Sequence, residues 1–139
     1  MVNPGRGAPR RPSRPVRTAT GVAFTFVVGV GVGVALVRPR RVVVEGRSME
    51  PTLAPGDRLL VVRAGVVHAG DVVAVRDPDG SRRVLVKRIG AVLEDEIVLR
   101  GDNPGASTDS RSFGPVPYSA VLGRVVRCYS PSWRAGPVR

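Results

Sequence analysis

A run of twenty uncharged residues near the N-terminus constrains this chain more than any other feature of its 139 residues. The run extends from Thr18 to Val37, is rich in valine and glycine, and lies between Arg17 and Arg38. Twenty residues of α-helix span about 30 Å, which is the thickness of the hydrocarbon core of a bilayer. The run therefore predicts a transmembrane helix at residues 18–37.

Two other interpretations of this run stay open. Gly33 and Ala35 form a small-x-small pattern, so the run could instead be a cleavable signal peptide. Glycine and valine alternate from Gly29 to Val34, which would suit a buried strand pair, although no polar face accompanies the alternation.

Positive charge is concentrated at the two ends of the run. The formal net charge is +11, but residues 1–41 hold eight arginines and no acid, which leaves a net charge of only +3 on residues 42–139. Five of the eight arginines precede the run. We therefore expect a disordered cytoplasmic arm at residues 1–17 and an extracytoplasmic domain at residues 38–139, in a single-pass protein of the plasma membrane. This placement of charge, with only 4% aromatic residues, argues against a nucleic-acid partner.

Beyond the run, the chain consists of short apolar segments separated by Gly, Pro and Asp turns. We expect a mainly β domain of curved antiparallel sheets, with a loop-rich segment at residues 101–117. The predicted strands cover residues 42–45, 58–63, 71–76, 81–89, 91–93, 97–100 and 121–129. The turn Asp77–Gly80 closes one predicted hairpin, and the acidic tip Glu94–Glu96 closes another.

The chain has one cysteine, Cys128, and one histidine, His68. A single cysteine cannot form a disulfide within the chain, and these two residues do not make a metal cluster. We expect no metal and no cofactor. Cys128 follows apolar residues and is predicted to be a buried structural thiol.

The lysine content is more informative, because the chain holds 21 arginines and a single lysine, Lys87. Arginine keeps its proton at any usable pH, whereas a lysine amine can lose one. Strand alternation places Lys87 on the same face as Leu85 and Ile89, opposite to Arg88. Desolvation on an apolar face lowers the pKa of a lysine, which makes Lys87 a candidate general base. The alternative is a lysine without a catalytic role that extends its amine to water.

A candidate partner for Lys87 is Ser48. Pro51 disfavours helix at Glu50, so Ser48 lies on extended or turning backbone, where its hydroxyl and its N–H can both face a cleft. These local features alone would also fit any other polar turn.

Three segments of the chain add a more specific signal. Ser48–Leu53 (SMEPTL), followed by Gly56-Asp57, resembles the nucleophile motif of the signal peptidase I (S26) family. Val86–Gly90 (VKRIG) is similar to the lysine motif of that family, and Gly101–Pro117 to its long third motif. The motifs stand in the family's order, and the resemblance covers roughly residues 42–126.

The resemblance implies the curved antiparallel fold of that family and a Ser-Lys dyad mechanism, in which Ser48 attacks the scissile carbonyl and Lys87 takes its proton. It also implies that the Ser48 N–H donates to the oxyanion. Some members have a second donor, a hydroxyl two residues before the nucleophile. That position is Gly46 in this chain, which leaves the second donor open.

Five further residues acquire roles by the same resemblance. Ser107 is expected to orient the lysine amine through a hydrogen bond. The pairs Arg88–Asp102 and Asp109–Arg111 are expected to be structural ion pairs that hold the loop of Ser107 without taking part in proton transfer.

The expected partners are precursor proteins with signal peptides, cut after small residues, and the lipid bilayer. Only thirteen residues separate Lys87 from Gly101, so the chain resembles compact members of the family such as the mitochondrial inner-membrane peptidases. One alternative is a protease dedicated to a single precursor, such as the propeptide of a nickel-containing superoxide dismutase. Another is an anchored β domain that binds a partner without catalysis. The oligomeric state is left open.

Overall fold

The structure is a computed structural model that describes residues 38–139. Eight strands form one curled, fully antiparallel sheet, which confirms the predicted mainly β fold. The strands are β1 (Arg40–Val43), β2 (Arg58–Val62), β3 (Val72–Arg76), β4 (Val84–Val92), β5 (Glu96–Arg100), β6 (Val116–Pro117), β7 (Val121–Ser130) and β8 (Gly136–Pro137). Their order in the sheet is β1-β2-β7-β3-β4-β5-β6, and β8 pairs with β7. One short helix, α1 (Ser110–Phe113), and three single 3₁₀ turns complete this part of the chain.

Within residues 38–139, no helix is long and apolar enough to cross a bilayer. The predicted arm at residues 1–17 and the predicted transmembrane helix at residues 18–37 lie outside the described residues.

The central strand β3 is buried on both faces. Val72 and Ala74 point into one hydrophobic cluster, and Val73 and Val75 into a second one on the opposite face. Full burial of a valine contributes about 1.5–3 kcal/mol, so this five-residue strand is a major source of stability. The sheet curls around β3 and thereby places an apolar cluster on each side of it.

Among the predicted strands, the boundaries differ from the observed ones by more than one residue in two places. The first strand begins at Arg40, not at Val42, because residues 40–43 pair with β2. Val44 instead closes the following turn: its N–H donates to the Asp57 carbonyl at 2.9 Å. The second difference concerns the predicted segments 81–89 and 91–93, which form the single strand β4. This strand starts at Val84 and continues through Gly90 with a shift in register.

Residues 81–83 are part of the turn before β4 because polar side chains hold them there. The Asp79 carboxylate accepts the Ser81 N–H at 2.7 Å, and the Ser81 hydroxyl accepts the Arg83 N–H at 3.3 Å. Such local hydrogen bonds from side chain to backbone compete with the strand ladder.

At Gly123, β7 approaches its neighbour β2 closely. A Cβ atom at this position would lie 2.9 Å from Val61 Cγ1 and would also overlap the Val62 carbonyl. The close contact between these strands therefore requires glycine.

We predict that Gly123→Ala lowers the free energy of unfolding by about 1–3 kcal/mol, because the methyl group overpacks a site closed by backbone atoms. Urea denaturation of the purified protein measures the change. Gly136→Ala on β8 is the matched control, since a Cβ there meets no heavy atom within 4 Å. Equal effects of the two substitutions would contradict the steric explanation.

Candidate active site

Ser48 lies in the turn between β1 and β2, which we call the nucleophile turn and define as residues 44–57. Met49 and Leu53 anchor this turn, because both are at most 2% exposed and pack in the first hydrophobic cluster. The Leu53 N–H also donates to the Met49 carbonyl at 2.8 Å. Ser48 therefore sits, half-buried, on a turn whose backbone is fixed by the apolar residues that follow it.

Lys87 lies in the middle of β4 and is only 4% exposed. Leu85 and Ile89, two residues to either side, pack in the second cluster, whereas Val86 packs against the first. Burial lowers the pKa of the Lys87 amine; the charge of Asp109 raises it, and the charge of Arg111 lowers it further. A buried lysine with a lowered pKa has the electrostatic character of a general base.

The Lys87 amine is held by Ser107. Its Nζ donates to Ser107 Oγ at 3.0 Å, and Ser107 Oγ in turn donates to Asp109 Oδ2 at 2.9 Å. An ionised carboxylate can only accept hydrogen bonds, so the Ser107 hydroxyl donates its proton to Asp109. The lone pairs of Ser107 Oγ are then free to accept from the Lys87 amine. The orientation of Lys87 is therefore set by two hydrogen bonds in series.

Asp109 is completely buried and is surrounded by donors. Arg111 binds it through Nε at 2.9 Å and Nη2 at 2.7 Å, and the Gly101 N–H donates at 2.8 Å. The side-chain hydrogen bonds from Arg111 are the main cause that holds the pKa of the Asp109 carboxyl well below its usual range. The bonds from the Gly101 N–H and the Ser107 hydroxyl act in the same direction. The expected Asp109–Arg111 pair is thus present, and Asp109 also contacts the residue that orients Lys87.

Gly101 is the point where the third motif meets the nucleophile turn. A Cβ atom here would lie 2.6 Å from the Ser48 carbonyl oxygen and would overlap the Ser107 hydroxyl. The Asn103 N–H donates to the same Ser48 carbonyl at 2.9 Å. The absence of a side chain at Gly101 therefore lets the loop of Ser107 approach Ser48.

Arg88 points away from Lys87 and binds Asp102 through two parallel hydrogen bonds of 2.8 and 2.7 Å. The hydrogen bond from Arg88 is the main cause of the lowered pKa of the Asp102 carboxyl, and the nearby Thr52 hydroxyl acts in the same direction. Arg88 also donates to the Gly70 carbonyl at 2.8 Å. The pair therefore ties β4 to the third motif on the side opposite the amine.

Ser48 and Lys87 line one cleft. Its first arm runs between residues 42–46 and 83–87, and half of the residues that line it are valine or leucine. Its second arm continues past Ser48 and Lys87 to the turn at residues 77–79 and to Phe113. Within residues 38–139 the Lys87 amine donates its hydrogen bond to Ser107 and not to Ser48, which lines the same cleft.

Residue patterns alone do not reveal some of these contacts. Nothing local indicates that Gly101 touches Ser48 or that Asp109 touches Ser107, because both contacts depend on how the third motif folds. A glycine directly after a strand was the one available signal, since glycine there often marks a close backbone approach.

Comparison with known proteins places these residues in a family context. The sequence profile of a family described as "Signal peptidase, peptidase S26" matches residues 17–103 and 90–130. Mitochondrial inner membrane protease subunit 1 of Xenopus tropicalis is 33% identical, over 70% of this chain and 73% of the relative. Mitochondrial ATP-independent inner membrane protease subunit 1a of Arabidopsis thaliana is 36% identical, over 65% of this chain and 70% of the relative. The human inner membrane protease subunit 1 is 28% identical, over 74% and 70% respectively.

Because the chain has a single lysine, the titration of Lys87 can be followed as one resonance of ¹³Cε-labelled lysine. We predict a pKa below the ordinary value of about 10.4. Arg111→Gln should raise this pKa because it removes a nearby positive charge, and Asp109→Asn should lower it because it removes a negative one.

Arg82→Gln is the control for this titration, since Arg82 is exposed on the neighbouring turn and should leave the resonance unchanged. Shifts of the same sign in the Arg111 and Asp109 variants would contradict the electrostatic account.

Proposed function

Since this chain belongs to the signal peptidase family, peptidase S26, and is a serine endopeptidase, we propose that it cleaves signal peptides from exported precursor proteins. The cleavage would use a Ser-Lys dyad, with Ser48 as the nucleophile and Lys87 as the general base. The observation that carries this proposal is the buried amine of Lys87, which shares a cleft with Ser48 and is oriented by Ser107.

The proposed reaction begins with the neutral amine of Lys87. It accepts the Ser48 proton as Oγ attacks the scissile carbonyl carbon, and a tetrahedral oxyanion forms. The resulting ammonium then donates this proton to the leaving amide nitrogen, which leaves an acyl-enzyme on Ser48. Water, activated by the same amine, hydrolyses the ester and restores both groups.

The cleft also supports a preference for small side chains. The arm between residues 42–46 and β4 is open to solvent, and both of its walls carry valine side chains. An extended peptide lying along it would present alternate side chains to these walls. Small residues at the first and third positions before the cut would fit there without displacing the wall.

We also propose that residues 18–37 anchor the chain in the plasma membrane, with the N-terminus in the cytoplasm and residues 38–139 outside. The uncharged run and the arginines before it support this topology. The named relatives are proteases of an inner membrane, which fits a membrane location for this chain as well.

Substrate range can be tested by incubating the full chain in detergent with a panel of exported precursors. General processing predicts cleavage of several unrelated precursors after small residues. Cleavage of a single precursor would favour the dedicated-protease alternative instead.

We predict that Ser48→Ala and Lys87→Arg each lower kcat by about 10⁴-fold or more, because one removes the nucleophile and the other replaces the base by a group that cannot deprotonate. Mass spectrometry of a cleaved precursor peptide measures the rate. Arg82→Lys, at an exposed position before β4, is the matched control and should keep full activity. Substantial activity in Lys87→Arg would rule out a deprotonated amine as the base.

We also predict that Gly46→Ser raises kcat by about tenfold, since a hydroxyl two residues before Ser48 could donate to the oxyanion. The backbone allows this change, because a Cβ atom at Gly46 meets no heavy atom within 4 Å. Gly46→Ala is the control, because it adds the same carbon without the donor. An equal kcat for the two variants would exclude a hydroxyl donor from this position.

A further inference from the structure

The C-terminal part of the chain packs behind the nucleophile turn. Arg134, at the end of the 3₁₀ turn Ser132–Arg134, donates from Nε to Asp57 Oδ2 at 3.0 Å. Its Nη2 reaches the Thr52 carbonyl at 3.2 Å and the Pro51 carbonyl at 3.4 Å. One guanidinium thus binds three points on a turn that lies about eighty residues earlier in the sequence.

The contact between Arg134 and Asp57 is important because Asp57 is a buried acid. The residue is 1% exposed, and within residues 38–139 its only salt bridge is with Arg134. Asp57 Oδ2 also accepts the Ala54 N–H at 2.9 Å, and the Asp57 carbonyl accepts the Val44 N–H. A buried carboxylate needs such partners, so the closure of the nucleophile turn depends on a cation supplied by the C-terminal segment.

Thr52 connects this contact to the lysine side of the site. The Arg134 guanidinium holds the Thr52 carbonyl, and the Thr52 hydroxyl lies near the Asp102 carboxylate that binds Arg88. Arg88 is the residue directly after Lys87 in β4. The segment that follows Ser48 therefore lies between two arginines, one from the C-terminal segment and one from the strand of the lysine.

We propose that Arg134 is a positioning residue for the reaction, which sets the place of Ser48 relative to Lys87 by fixing the backbone of residues 51–57. This role depends on the proposed function of Ser48 as the nucleophile. Arg134 lies beyond residue 130, where the family match ends. A small displacement of a reacting group can lower a rate by about 100-fold, so loss of this contact should appear in kcat.

The test compares Arg134→Ala, Arg134→Lys and the control Arg127→Ala in the full chain. The assay substrate is a precursor peptide with small residues at the first and third positions before the cut. Each kcat is divided by the folded fraction, taken from urea denaturation followed by circular dichroism. Arg127 is a suitable control because it is exposed on β7 and pairs with Leu60 of β2, which lies outside the nucleophile turn.

We expect Arg134→Ala to lower kcat per folded molecule by about 100-fold with little change in KM. Arg134→Lys should lower it by about tenfold, because an ammonium can pair with Asp57 but lacks the planar fork that also reaches the two carbonyls. Arg127→Ala should stay within about twofold of the unaltered chain. An unchanged kcat per folded molecule in Arg134→Ala would overturn the positioning role and leave only a structural one.

A double-mutant cycle with Asp57→Asn provides a second measurement if Arg134→Ala does not fold. The kcat effects of Arg134→Lys and Asp57→Asn should be strongly non-additive, since both variants disturb one contact. Additive effects would overturn the inference. If the unaltered chain does not cleave the peptide, or if Ser48→Ala still does, the proposed function fails and the inference fails with it. Normal cleavage with unaffected Arg134 variants overturns the inference alone.

Discussion

The buried carboxylate of Asp109 is the interaction on which the rest of the site depends. A negative charge without any exposure is costly unless donors surround it. In this chain the donors come from Gly101, Ser107 and Arg111, so the third motif must fold around the acid in order to supply them. One of these donors is the Ser107 hydroxyl, whose lone pairs are then left for the Lys87 amine. The hydrogen-bonding requirement of the Asp109 carboxylate thus fixes the orientation of the Lys87 amine, which is two hydrogen bonds away.

The pairing of Asp109 with Arg111 also explains how an acid can lie near the lysine while the pKa of the amine stays below its ordinary value. Asp109 alone would raise the pKa of the Lys87 amine, but Arg111 acts in the opposite direction. Desolvation is therefore the dominant influence, and it favours the neutral amine. The ion pair supplies hydrogen bonds that order the loop, while its two charges oppose each other at the lysine.

The long strands were predictable from sequence because their valine-rich segments end at Gly, Pro and Asp turns, as at β2, β3 and β7. The strands β6 and β8 were not, since two residues are too few to show a period. In the site, Lys87 could be singled out by the chemistry that separates lysine from arginine, and Ser48 only through its motif. The contacts of Gly101 with Ser48 and of Arg134 with Asp57 join residues more than fifty positions apart, so no local pattern could reveal them.

The burial of β3 on both faces has a consequence for how this part of the chain loses its structure. The turn of Ser48 packs on one cluster through Met49 and Leu53, and the strand of Lys87 packs on the other through Leu85 and Ile89. Because β3 contributes to both clusters, opening either of them removes apolar contacts from one face of β3 and weakens the other. Residues 38–139 are therefore expected to unfold as one cooperative unit. The candidate nucleophile Ser48 and the candidate base Lys87 would then be in place together or displaced together, and a half-assembled site would have no stable population.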